Sequence, residues 1–142
     1  MDKYTLQQYS YLSKEALDLE EEKSHLADGL IGAVRINDMP KGSSRIHDPM
    51  AEVAVKMADL AQLLADKLNE ALALRMEIEN AIESLEPQER QLIRYRYIDC
   101  LSWRRVTERL YGDRYDFIDK LESYLRTVYN HHGNILQKLK DV

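Results

Sequence analysis

The strongest constraint on the fold is a long helix-forming stretch in the first half of the chain. Residues 50–85 contain no Gly or Pro, and Asp48-Pro49 ahead of them supply an N-cap and a first-turn Pro. At 1.5 Å per residue this helix is about 54 Å long, more than a small globule covers, so the pattern predicts a partner helix from this chain or a second copy. Apolar residues recur at intervals of three and four, with Leu68 making a four-residue step between two runs: Val53, Met57, Leu60 and Leu64, then Ala71, Leu74, Ile78, Ala81 and Leu85.

An earlier amphipathic stretch predicts the partner helix. Thr5 with Gln8 three residues later has the pattern of a capping box. Between the two helices, residues rich in Gly, Ser and Pro predict an irregular loop at about residues 31–48. Residues 41–44 in this loop place Lys before Gly, the reverse of a phosphate-binding loop, so we expect no nucleotide site there. The apolar stripe of this helix, interrupted once by Lys, consists of Tyr9, Leu12, Ala16, Leu19, Lys23, Leu26 and Leu30.

Residues 85–142 have a different pattern, in which short amphipathic helices alternate with tight turns. Pro87 marks the boundary, because Pro at N1 begins a helix and disfavours continuation of the preceding one. Ser102 has the position of an N-cap. Helices are expected at about residues 88–97, 103–110, 116–122 and 124–140. The core stripe of the last helix is predicted to be Leu125, Val128, His132, Ile135, Leu136 and Leu139.

These patterns predict an all-α fold. Residues 1–84 are expected to form a long antiparallel helical hairpin that resembles a coiled coil, with the loop at about residues 31–48. Residues 85–142 are expected to form a C-terminal helix-turn-helix domain.

The charge of the chain divides near the same boundary. The whole chain carries 20 Lys+Arg and 25 Asp+Glu, a net −5 that argues against a nucleic-acid partner. Residues 1–83 hold 9 Lys+Arg against 16 Asp+Glu, whereas residues 84–142 hold 11 against 9. Most cations of the second part are Arg, the side chain that binds phosphates and base edges with a planar fork. DNA affinity of one copy should therefore be modest and salt-sensitive, with specific binding needing two copies or a protein partner.

Other features exclude several classes of protein. The longest apolar runs span only a few residues and the chain starts with polar sequence, which predicts no transmembrane helix, no membrane partner and no signal peptide. Cys100 is the only Cys, which excludes an intrachain disulfide and a Cys-rich zinc site and fits a reducing cytoplasm. His131 and His132 point about 100° apart on a helix, so they do not share a metal ion. We expect no enzymatic activity, no cofactor and a location in the cytoplasm.

The block of residues 85–106 resembles the start of region 4 of bacterial sigma factors. It contains an L-x-x-x-E-R start at Leu85, an R-Y-I strip that ends at Ile98, and an S-W-x-x-V helix start at Ser102. Residues 127–136 resemble the recognition helix of that domain. Residues 39–44, between two long helices, resemble the sigma-like regulators of phages and prophages of Gram-positive bacteria, the ArpU and RinA types of late-gene activators. This resemblance implies an all-α DNA-binding regulator that acts at promoters with RNA polymerase, in the cytoplasm of a bacterial host cell.

If the last helix reads DNA, its outward residues are the expected base contacts. Arg and Asn side chains make bidentate contacts to guanine and adenine in the major groove, although the same positions also suit ordinary solvent-facing residues. Three arginines on the preceding helix are expected to bind phosphates, and salt bridges with Glu108 and Asp113 are the alternative. Trp103 is expected in the core. The candidate DNA contacts are Arg104, Arg105, Arg109, Arg126, Tyr129, Asn130 and Asn134.

Two functions of different classes fit these observations. The first is a phage-type, sequence-specific transcription regulator with double-stranded DNA and RNA polymerase as partners, acting as a homodimer through its long helices. The second is a helical structural or assembly protein, or a DNA-packaging adaptor, that uses the helix-turn-helix for protein or DNA contact. Binding that weakens steeply with salt favours the functions that involve DNA.

Overall fold

Every regular element that the structure describes is a helix. The computed structural model describes the backbone of residues 1–36 and 49–142 and the side chains of residues 1–29 and 49–142. The five helices of these ranges are α1 (Lys3–Ile36), α2 (Pro49–Ile82), α3 (Pro87–Ile93), α4 (Trp103–Tyr111) and α5 (Leu121–Lys140), and one π-helical turn, Arg94–Ile98, continues α3 directly. The prediction of an all-α fold is confirmed, and α1 and α2 pack together as the long helix pair. None of the described helices combines the length and the apolar composition needed to cross a membrane.

The start of α1 lies before the predicted one. Oδ1 of Asp2 accepts a hydrogen bond from the backbone N–H of Thr5 at 2.8 Å, and a second one from the Thr5 hydroxyl at 2.7 Å. Asp2 is therefore the N-cap, and the capping box expected from Thr5 and Gln8 is wrong. An ionised Asp suits this position because it accepts from a free amide at the positive end of the helix dipole.

The end of α1 lies beyond the predicted one. The helix continues through Gly29 and Gly32 to Ile36, so a loop that begins at residue 31 is wrong. A Gly costs about 1 kcal/mol relative to Ala in a helix interior, which a helix of 34 residues tolerates because propagation is favourable once the helix is nucleated. The expected N-cap Asp48 and the segment 41–44 lie outside the described residues.

The chain divides into two compact units. The core unit consists of Met1–Tyr11 and Ala71–Val142, and the hairpin unit consists of Leu12–Glu70. This division differs from the expected boundary between residues 84 and 85. The reason is long-range packing, because Leu6 and Ile78 of the long helices are buried in one cluster with Ile135 of α5.

In the hairpin unit, the stripe of α2 runs through Lys67. The ammonium of Lys67 lies 3.8 Å from a carboxylate oxygen of Glu15 in α1, and the Lys67 side chain is partly buried. Leu68, by contrast, is 52% exposed. The irregular step predicted at Leu68 is wrong, because Lys covers apolar surface with its methylene stem while its charge stays at the edge.

In the core unit, the apolar stripe of α5 packs against α3, α4, the start of α1 and the end of α2. Glu86 and Glu89 form the capping box that begins α3, one directly before Pro87 and the other two positions after it. Ser102 caps α4 by accepting from the backbone N–H of Arg105. The four α5 residues that are buried all belong to the predicted stripe: Val128, His132, Ile135 and Leu139. The apolar core comprises Leu6, Ile78, Ala81, Ile82, Leu85, Leu92, Ile93, Tyr97, Val106, Val128, Ile135 and Leu139.

The turn between the π-helical turn and α4 contains a strained residue. The N–H of Asp99 donates to the carbonyl of Arg94 at 2.8 Å, and the N–H of Leu101 donates to the carbonyl of Tyr95 at 2.9 Å. Cys100 between them has φ 56°, in the left-handed region that suits Gly. A side chain with a Cβ costs about 1 kcal/mol or more in this conformation.

We expect Cys100→Gly to raise the free energy of unfolding by about 1 kcal/mol, because Gly removes the Cβ clash of the left-handed conformation. Urea unfolding followed by circular dichroism measures the difference. Cys100→Ala is the matched control and should leave stability nearly unchanged, since Ala keeps the Cβ. An equal gain in both variants would show that the thiol, rather than the backbone, is unfavourable.

Candidate nucleic-acid interface

Three arginines of the core unit, which we call the inner arginines, have structural partners. The guanidinium of Arg90 donates to two backbone carbonyls in the turn after α2. Arg94 forms a bidentate pair with Glu79, whose shortest contact is 2.7 Å and which lowers the pKa of that carboxyl. Arg96 donates to a backbone carbonyl and lies 4.4 Å above the ring of Trp103. These side chains stabilise the fold and are not available for a partner.

Five other arginines, which we call the outer arginines, are exposed and make no side-chain hydrogen bond or ion pair within the described residues. The salt bridges with Glu108 and Asp113 that were an alternative at the sequence level do not form. The five groups follow one another along the chain from α4 to the first half of α5. The outer arginines are Arg104, Arg105, Arg109, Arg114 and Arg126.

Helix α4 presents three of the outer arginines. Val106 and Thr107 are buried, and the Thr107 hydroxyl donates to the carbonyl of Trp103 at 2.8 Å, so the opposite face of the helix points to solvent. Its end is tight, because a Cβ on Gly112 would clash with the carbonyl oxygen of Glu108. Gly112 is therefore required for the chain to leave α4 at this point. A shallow depression beside this turn is lined by Arg105, Glu108, Arg109, Leu110, Gly112 and Asp113.

Helix α5 places its predicted DNA contacts on the exposed side. Arg126, Asn130 and Asn134 are exposed, and neither Asn has a side-chain hydrogen bond among the described residues. Tyr129 is 48% exposed, and its ring meets the edge of Trp103 at a centroid distance of 5.3 Å. Trp103 itself packs at the border of the core and is partly buried. One side of the Tyr129 ring therefore packs on Trp103, and the other side is exposed to solvent.

His132 fixes the inner side of α5. Its Nε2 lies 2.6 Å from the hydroxyl of Tyr97, and its ring meets the edge of Trp103 at 4.6 Å. Burial lowers the pKa of His132 to about 4, with a smaller effect from the cations Lys3 and Arg96. The imidazole is therefore neutral near pH 7, and its Nε2 shares a hydrogen bond with the Tyr97 hydroxyl.

We expect the stability of the protein to fall as the pH is lowered from 6.5 towards 4. In this window the unfolded chain, with an ordinary His pKa of 6.5, takes up a proton that the folded protein does not. The loss between pH 6.5 and pH 5 should be about 2 kcal/mol, measured by urea unfolding at each pH. His132→Gln, which keeps hydrogen-bonding groups but does not titrate, should flatten the dependence.

The matched control for this prediction is His131→Gln. His131 is the neighbouring residue on the same helix and is exposed. Its substitution should leave the pH dependence unchanged. If both variants lose the same slope, the buried imidazole is not the source.

The connection between α4 and α5, residues 112–120, was only partly predicted. A helical turn was expected at about residues 116–122, but the structure has consecutive turns and α5 begins at Leu121. The Tyr124 hydroxyl donates to Oδ1 of Asp116 at 2.6 Å, which lowers the pKa of Asp116, and the Tyr124 ring stacks on Tyr111. Phe117 also contacts this ring at a centroid distance of 6.1 Å. The connection is therefore tied to both helices.

Two apolar side chains of this connection are exposed, which the sequence did not predict. Tyr115 is 99% exposed and Ile118 is 88% exposed, the two highest values among the described large apolar residues. Ile118 lines a second shallow depression at the start of α5, which Arg126 also lines. The spacing of apolar residues in this segment resembled a short amphipathic helix, and nothing local indicated that Ile118 stays outside.

The described residues contain no group of three or more His, Cys, Asp or Glu side chains that could hold a metal ion. Comparison with protein-family models, curated proteins and solved structures finds no match for this chain. The candidate interface is therefore defined by its own residues: the outer arginines, the exposed side of α5, and the connection between α4 and α5.

Proposed function

We propose that this chain is a sequence-specific DNA-binding transcription regulator of the phage sigma-region-4-like type, in which α5 reads the DNA. The observation that carries the proposal is the contrast between the inner and outer arginines. The inner arginines are all bound within the fold, whereas the five outer arginines are exposed and unpaired from α4 to α5. Unpaired guanidinium groups concentrated on one stretch of chain suit a phosphate-rich partner.

The proposal divides the work between two helices. Arg104, Arg105 and Arg109 of α4 would bind phosphates and set the position of the domain on the duplex. Arg126 and Asn130 of α5 would contact base edges in the major groove, where Arg pairs with guanine and Asn with adenine. Tyr129 and Asn134 would complete the reading surface. The resemblance of residues 85–106 to sigma region 4 supports promoters as the targets and RNA polymerase as a second partner.

The decisive experiment selects duplexes that bind the protein and then measures their affinity for the wild-type and substituted proteins at several salt concentrations. Duplexes recovered from a random pool should bind the full chain at least tenfold more tightly than a scrambled copy. Arg126→Ala with Asn130→Ala should remove this preference, since each bidentate base contact discriminates by about 1–3 kcal/mol. Arg105→Ala with Arg109→Ala should weaken binding to both duplexes equally and reduce the salt slope by about one to two.

Arg75→Ala is the matched control, because Arg75 is an exposed cation of the core unit on α2. It should change neither the sequence preference nor the salt slope. If no selected duplex binds more tightly than its scrambled copy at moderate salt, the proposal fails, and a structural or assembly role takes its place.

We also propose that two copies associate through their long helices. The support is the thin core of the hairpin unit, in which Ala16 is the only buried residue among the described side chains. Two helices with so little buried surface are marginal without further packing, and four-helix bundles solve this by adding a second pair. Large apolar side chains remain exposed on α2 of this unit: Met50, Val55, Leu63 and Leu68.

The mass in solution tests this association. Light scattering should give twice the mass of one chain, and Leu63→Ser with Leu68→Ser should shift it towards one chain, because burial of two Leu side chains would be lost. Asn69→Ser, at an exposed polar neighbour, is the control and should keep the dimer. A wild-type protein with the mass of one chain at micromolar concentration would contradict the proposal.

A further inference from the structure

Gly133 lies in the interior of α5, the helix that we propose reads DNA. It is exposed, and it does not have the left-handed backbone conformation that favours Gly. A Cβ at this position would lie in open space, with no packed atom of the protein within 4 Å. A Gly inside a helix nevertheless costs stability relative to Ala. Neither the backbone conformation nor the packing of the described residues therefore accounts for Gly133.

The neighbours of Gly133 along the helix distinguish it from an ordinary open Gly, such as Gly29 of α1. Arg126 and Lys140 lie seven positions before and after it. Seven residues make nearly two turns, so the three positions follow one line along α5, with each cation about 10 Å from Gly133 along the axis. Both cations are exposed, and neither has an ion-pair partner in the part of the chain that the structure describes.

The charge of α5 favours a polyanion on this side. Residues 123–140 contain no Asp or Glu, and Glu122 in the first turn lies about 16 Å from Gly133 along the axis. Glu89 of α3 contacts the helix on another side, where it binds Lys138 at 2.6 Å, about 140° around the axis from Gly133. The side that carries Gly133 therefore combines unpaired cations with an open backbone.

The same side of α5 adjoins α4. Tyr129, one turn before Gly133, meets the ring of Trp103 in α4 at a centroid distance of 5.3 Å. Helix α4 carries three of the outer arginines, which are also unpaired among the described residues. A duplex presents phosphates on both margins of its major groove and base edges between them. Cations on both sides of an open stretch of helix backbone match this arrangement.

We propose that the backbone of α5 lies directly against double-stranded DNA at Gly133, and that the duplex rather than the fold excludes a side chain there. This inference rests on the proposed function, because it requires α5 to lie in the major groove. The close approach that Gly permits brings Arg126 and Asn130 within reach of base edges. Lys140 becomes a further phosphate contact at the other end of the helix.

The test separates stability from DNA binding, with duplexes that the full chain selects from a random pool. Gly133→Ala should raise the melting temperature by about 4 °C, because Ala is the better helix former. It should also lower the affinity for the selected duplex by about tenfold, the loss expected when a methyl group is forced into a packed contact. Gly133→Leu should lower the affinity further. Lys140→Ala should reduce the salt slope by about one.

Gly29→Ala is the matched control, because Gly29 is also an open Gly inside a helix but follows Asp28 in the acidic part of the chain. It should raise the melting temperature and leave DNA affinity unchanged. His131→Leu is the control for the larger side chain, because His131 is exposed on α5 about 160° around the axis from Gly133. It should bind the selected duplex as wild type does.

The results distinguish the close approach from the proposed function. If wild type selects DNA and Gly133→Ala binds the selected duplex equally well, the close approach is overturned and the proposed function stands. If Gly133→Ala lowers the melting temperature, the fold itself requires this Gly and the inference is wrong. If the Gly133 variants keep their DNA affinity but lose the mass of a dimer, a second copy packs there and the inference is also wrong. If wild type binds no duplex selectively, both proposals fail.

Discussion

The hydrogen bond between Tyr97 and His132 is the interaction on which the outer surface of the core unit depends. It joins the π-helical turn to α5 at 2.6 Å, and Trp103 of α4 packs its edge on the same imidazole, so three elements meet at one ring. An apolar stripe alone allows a helix to rotate by several degrees without much loss, whereas a buried hydrogen bond in a low dielectric does not. With His132 turned inward, the side of α5 that carries Arg126 and Asn130 must face outward.

Much of the fold could be predicted because its determinants are local. The absence of Gly and Pro predicted a long α2, although the helix ends at Ile82 rather than at about Leu85. Pro87 and Ser102 predicted two helix starts, and the spacing of apolar residues predicted the buried side of α5. The wrong predictions concern places where two local arrangements of the chain differ little in free energy. Lys67 lies on the apolar stripe of α2 because the methylene stem of its side chain is apolar. Helix α1 continues through two Gly residues because a long helix stays stable despite the free energy that each Gly costs. The two compact units could not be predicted, since contacts between Leu6 and α5 leave no periodic trace in the sequence.

The residue types of the candidate site could be predicted from the sequence, but which of its side chains are free to contact a partner could not. The sequence presents the arginines of residues 84–142 as equivalent cations, and only packing separates those bound within the fold from those left free. Arg94, for example, is bound because its guanidinium lies 2.7 Å from the carboxylate of Glu79, a residue fifteen positions earlier in the sequence. The exposure of Tyr115 and Ile118 was not predicted for the same reason, because the hydrogen bond between Asp116 and Tyr124 that ties their connection to α5 is not visible in the local sequence pattern. The net charge of −5 was the least informative quantity, since it sums an acidic first part of the chain with a second part whose exposed arginines follow one another from α4 to α5.

The division of the core unit between two separate stretches of chain has a consequence for how the protein is made. Leu6 leaves the ribosome early, but Ile135 and Leu139, with which it shares a core, are synthesised after the whole of Leu12–Glu70. The hairpin unit is composed of neighbouring helices and can form while translation continues, whereas the core unit has to wait for a closure of high contact order. During that interval the first turns of α1 and the last turns of α2 expose their apolar sides. The exposed side of α5, which we propose reads DNA, is consequently fixed in place only after the helices that precede it in the chain.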